Sequence, residues 1–163
     1  MVLGVDMNIE SIGAIGGLVA AIATLTTLIY LTIQVRQNSQ SLKAASHHAV
    51  TDSFNQINTI IATDLGAARV FRLGLLGIEN LTEDEQFSFA FLMLGYLQIF
   101  ETLFYQCDIG ATDITLLESE KSSLNWAFAY SGARVWWRSN SISFGPNFRN
   151  YIDKIVDSHE RSD

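Results

Sequence analysis

Three features of the sequence predict an all-α chain, with one N-terminal transmembrane helix that continues into a stalk and carries a cytoplasmic bundle of four to five further helices. Residues 11–35 include no charged side chain. No Gly or Pro occurs between Gly17 and Gly66, so a helix begun in the apolar stretch has no breaker to stop it. The remainder alternates helix starts and stops with apolar residues at helical spacing, and shows no strand-like alternation. The implied organisation is a short tail over 1–10, a membrane helix over 11–35, a stalk over 36–63 and a helical bundle over 64–163.

The membrane helix rests on length and composition. Its uncharged core, residues 12–33, rises roughly 33 Å as a helix, close to the ~30 Å hydrocarbon thickness of a bilayer. Tyr30 falls near one end, where an amphipathic ring suits the interface. A cleaved signal peptide is not expected, because Asp6 and Glu10 precede the run without any Lys or Arg, and no small-residue cleavage site follows it. Arg36 and Lys43 come directly after the span, which predicts the N-terminus outside and the C-terminal domain in the cytoplasm. Gly13, Gly17, Ala21 and Thr24 fall on one face, with the small-xxx-small spacing that lets two membrane helices approach closely. This face is the predicted packing surface.

Composition agrees with this layout. Hydrophobic residues make up 48% of the 163 and charged residues 17%, below the roughly 25% of soluble domains. Mean hydropathy is +0.21. The net charge is −7, and the ten Lys and Arg residues are scattered, so the chain lacks the basic patch needed to hold nucleic acid. Cys107 is the only cysteine; it has no disulfide partner, suits a reducing compartment and reads as a small, semi-buried apolar residue.

Past the span, Val50, Phe54, Ile57 and Ile61 lie at i, i+4, i+7 and i+11, one face of the stalk helix. Asp64 is placed to cap a helix ending near Gly77. Thr82 with Glu85 forms a capping-box pattern, and the helix it opens, over 83–107, is apolar almost all round and predicted to be central. The uncharged stretch 86–100 is short for a second span, and extending it would carry Glu101 into lipid. Asp113 or Thr112 caps a further helix to about Tyr130, where Gly132 breaks the chain. A short turn or helix over 133–140 holds Trp136 and Trp137. Pro146 opens the last helix from its first position, where a missing N–H costs nothing.

Several local patterns occur together in one order. They are Ile12-Gly13-Ala14-Ile15-Gly16, Leu28-Ile29-Tyr30-Leu31 running into Gln34-Val35-Arg36-Gln37-Asn38, Phe100-Glu101 before Phe104-Tyr105-Gln106, and Trp136-Trp137 before Phe144-Gly145-Pro146-Asn147-Phe148. In these the chain resembles a group of small, uncharacterised bacterial membrane proteins with one span and a helical domain. The resemblance covers nearly the whole chain and implies the architecture and a bacterial inner membrane; it brings no activity.

Residues that carry chemistry are sparse. His48 and Asp52 share a helix face, but no third ligand is spaced to complete a metal site, and solvated stalk histidines are the simpler reading of His47 and His48. Glu101 sits among apolar residues and needs a partner or an edge position. Arg134 is the expected partner in a buried ion pair, with Arg138, Arg69 and Arg72 as alternatives. No nucleophile elbow, phosphate-binding loop or dinucleotide fingerprint occurs. No enzyme activity, cofactor or metal is therefore predicted. The expected partners are the lipid bilayer and either further copies of the chain or a larger membrane complex, for which the chain would be a scaffold or accessory subunit. The alternative is a homo-oligomeric pore lined by Thr24, Thr27 and Tyr30. A ligand sensor built on Glu101 and the tryptophans is a third expectation.

Overall fold

The computed structural model describes residues 9–161, and within them the chain is helical throughout, with no strand. Six α-helices run in order: α1 (Ile9–Thr63), α2 (Leu65–Leu76), α3 (Glu83–Asp108), α4 (Ile114–Phe128), α5 (Ser131–Asn140) and α6 (Pro146–Glu160). Short 3-10 turns, Ile78–Asn80 and Ser141–Ser143, follow α2 and α5. The all-α prediction is what the structure shows, and of the four to five further helices expected after the first, five are present among the described residues. The expectations for residues 1–8, including Asp6, and for the side chain of Glu10 lie outside the described residues.

The chain forms two compact units, Met1–Leu42 and Lys43–Asp163. In the first, α1 runs without interruption, and the described side chains up to Leu42 are all exposed. The second unit begins earlier than the expected bundle boundary at residue 64. The reason is the apolar stripe: Val50 and Ile57 are buried, and Phe54 and Ile61 pack against the same core. Residues 43–63 therefore belong to the bundle, and the stalk does not form a separate element along its whole length.

Helix starts follow local chemistry. The Asp64 carboxylate accepts the amides of Gly66 (2.8 Å) and Ala67 (3.1 Å) at the head of α2. Both halves of the capping box open α3, Thr82 N–H to Glu85 at 3.0 Å and Glu85 N–H to the Thr82 hydroxyl at 3.4 Å. Asp113 caps α4 through the Thr115 amide (2.9 Å). Thr112, the alternative cap, is instead buried, its hydroxyl 2.6 Å from that of Ser46. The turn out of α3 uses Gly110 at φ 70°, the left-handed conformation that favours glycine.

α3 is the central helix of the bundle. Phe89, Met93, Leu97, Phe100 and Leu103, spaced by three and four residues, are removed from solvent. Around them pack α2 at Val70, Phe71 and Leu75, α4 at Leu124 and Phe128, and α6 at Phe148, Ile152 and Val156. Trp137 is fully buried, packed edge-on against Phe128 (6.2 Å) and Phe148 (6.3 Å) and tilted against Phe144 (5.2 Å). Its indole N–H donates to Asp153 (2.8 Å), which satisfies the polar atom that burial would otherwise strand.

One glycine has a role other than the one expected. Gly132 does not end α4; it lies in the first turn of α5, and α4 stops at Phe128. A methyl group on Gly132 would overlap the backbone carbonyl oxygens of Gly74 and Leu75, so its hydrogen is what lets α5 cross close over α2. The obstacle is backbone, which cannot swing aside. Gly132→Ala should cost about 3 kcal/mol, at the upper end of overpacking penalties. Gly95→Ala in α3 is the contrast: the added carbon would meet only Ile57 Cδ1 at 3.9 Å, an ordinary contact. That change should raise stability by roughly 0.5–1 kcal/mol through helix propensity. Denaturant titration of both full-length variants checks the pair, and opposite signs are expected.

Candidate functional site

On α1, Gly13, Gly17, Ala21 and Thr24 fall on one exposed face of the helix. A Cβ built on Gly13, Gly16 or Gly17 meets nothing within 4 Å, so the notch that these residues form is open. The hydroxyl side of the same helix is less available. Thr24 and Thr27 donate to the carbonyls of Ala20 and Ala23, each at 2.9 Å, and Thr26 and Thr32 do likewise one turn back. Tyr30 OH accepts from the Gln34 amide at 2.6 Å.

The expected Glu101–Arg134 ion pair is not among the contacts of the described residues. Glu101 accepts the backbone N–H of Gly145 at 2.6 Å, at the head of α6. Arg134 donates from Nη1 to the carbonyls of Phe128 and Ala129, both at 2.9 Å, at the end of α4. Each charge meets the helix terminus of opposite partial charge, the carboxylate at an N-terminus and the guanidinium at a C-terminus. Two of the three alternative partners are engaged elsewhere: Arg69 pairs with Glu85, and Arg138 bonds Asp157 (2.5 Å) and Glu160 (2.8 Å). His47 and His48 are exposed on α1, with no third ligand group beside them among the described residues.

Two of the sequence patterns meet in space. Glu101, Phe104 and Tyr105 of α3 form one wall of a groove of about 490 Å³, and Gly145, Pro146 and Phe148 form the other. Asp108, one turn further along α3, also lines it. The Phe104 ring packs on Phe148 (5.8 Å) and Tyr151 (5.2 Å), so ring contacts join the two sides. Trp136 and Trp137 do not line it; they are buried against Phe144. Tyr105 and Asp108 were not expected members. Their spacing from Glu101, at i+4 and i+7, was readable as one helix face, but nothing in the sequence marked that face as lying beside α6.

Compared with family models, curated proteins and solved structures, the chain matches none.

Two outcomes follow from these contacts. Glu101→Ala removes the acceptor at the head of α6 and should lower stability by about 1 kcal/mol, the scale of a lost N-cap, measurable by chemical denaturation. The second concerns acid. Hydrogen bonds from Arg138 hold the Glu160 carboxyl below its usual value, and the same contacts raise Arg138. The folded state then binds that proton less readily than the unfolded chain does. The resulting stabilisation is complete above the ordinary carboxylate range and is lost as pH falls through the lowered value. The difference in melting temperature between wild type and Arg138→Ala should be widest near neutrality and should narrow below about pH 4.

Proposed function

We propose that the chain is a membrane-anchored, non-catalytic scaffold or accessory subunit of the bacterial inner membrane. It assembles through its transmembrane and stalk helices, with further copies of itself or around a larger membrane complex. The observation that carries this reading is the uncharged segment 11–35 of α1, exposed along its length and bearing an open glycine notch at Gly13 and Gly17. A notch of small residues lets a second helix backbone come close enough for dispersion contacts to accumulate.

Among the described residues two helices, Ser11–Thr63 and Glu83–Asp108, are long and apolar enough to cross a membrane. None of the most apolar window of the first is buried, against 33% for the second. That difference supports α1 as the span and α3 as a core helix. Arg36 and Lys43 support the N-terminus outside and the bundle in the cytoplasm. Membership of the uncharacterised group of single-span bacterial proteins is part of the same proposal, as is the lack of catalysis, which rests on the missing catalytic motifs.

The pore lined by Thr24, Thr27 and Tyr30 has less support, since those threonine hydroxyls bond their own helix. The test is native mass spectrometry of the full chain extracted gently from its membranes. Wild type should run as a defined oligomer or in fixed ratio with a larger assembly, and Gly17→Ile should release the single chain. An unchanged particle for Gly17→Ile would overturn assembly through this face.

A further inference from the structure

We propose that the groove between α3 and α6 is a binding site for an aliphatic di- or polyamine. Its volume, about 490 Å³, lies within the range of small-molecule sites. The lining has a particular chemistry. The floor and walls are mostly hydrocarbon and ring, from Phe104, Tyr105, Pro146 and Phe148, with Thr102 and Asn147 as the neutral polar side chains. The charged groups along it are Glu101 and Asp108, and among the described residues no Lys, Arg or His lines it. An anion would meet two carboxylates there, and a neutral apolar ligand would leave both without a counter-charge.

The spacing narrows the ligand further. Residues 101 and 108 are seven apart on α3, two helical turns or roughly 10 Å along the axis. Tyr105, which is exposed, lies between them on the same face. One carboxylate therefore stands towards each end of a strip of aromatic surface. An alkyl chain with an ammonium at each end matches this arrangement: the methylenes cover the rings, and the charges reach the carboxylates. The faces of Phe104 and Tyr105 add attraction for a cation above them.

The site is also preorganised. The Gly145 amide holds one oxygen of Glu101 at 2.6 Å, which fixes the carboxylate without neutralising it. It is the one hydrogen bond that Glu101 makes among the described residues. The rings of Phe104, Phe148 and Tyr151 pack on one another, so the apolar wall exists before a ligand arrives. The net charge of −7 on the whole chain favours the approach of a polycation.

The experiment is isothermal titration of the full chain, in neutral detergent at physiological salt, with spermidine as the probe. Saturable binding at one site per chain is expected. Asp108→Asn and Tyr105→Ala change exposed residues, and each should weaken that binding about tenfold or more while leaving the melting temperature near that of wild type. Butylamine, with a single ammonium, should bind at least tenfold more weakly than spermidine. Absence of saturable heat up to millimolar spermidine would overturn the proposal. So would wild-type affinity in Asp108→Asn, or equal displacement of spermidine by magnesium ion, which would reduce the effect to diffuse charge.

Discussion

The bundle depends on the burial of one helix. α3 presents Phe89, Met93, Leu97, Phe100 and Leu103 as a stripe that stays out of water only when other elements surround it. Each such side chain contributes about 1.5–3 kcal/mol on leaving water, so these residues are a large part of what opposes chain entropy in the second unit. Other elements are arranged to complete that burial. The second half of α1 supplies Val50, Phe54, Ile57 and Ile61; α2 crosses with Phe71; α4 and α6 enclose the remaining sides.

Charge is used mainly at helix ends. Asp64, Glu85 and Asp113 cap the helices they begin, Glu101 reaches across to the head of α6, and Arg134 reaches back to the end of α4. Arg138 ties α5 to α6 through Asp157 and Glu160. A terminal N–H or C=O inside a small bundle has few other partners, so a modest number of ionisable groups is enough to satisfy the ends of several short helices.

Much of the fold was legible because its boundaries are written in local chemistry. Asp64, the Thr82–Glu85 pair, Asp113 and Pro146 each stand where a helix begins, and their signals need nothing from distant parts of the chain. The stripe on the second half of α1 was legible as a stripe, while its partner was not, and so residues 43–63 were read as a stalk where the compact unit includes them. Glu101 and Arg134 were recognisable as groups in need of partners. Their actual partners are backbone atoms at helix ends, which no matching of side-chain types reveals. Gly132 looked like a breaker because a glycine signals either a stop or a close approach, and only the path of α2 tells which applies.

The groove has one wall from α3 and the other from the start of α6, some forty residues later. In synthesis, α3 leaves the ribosome tens of residues ahead of Gly145, Pro146 and Phe148, and domains generally settle as their residues become available. During that interval the Glu101 carboxylate has no amide to accept and the face with Phe104 and Tyr105 is bare. Completion of the groove therefore coincides with the docking of α6 on α3. A nascent chain held before that point has the central helix and most of its neighbours but no second wall, so the finished groove is a mark of maturity that an unfinished chain does not display.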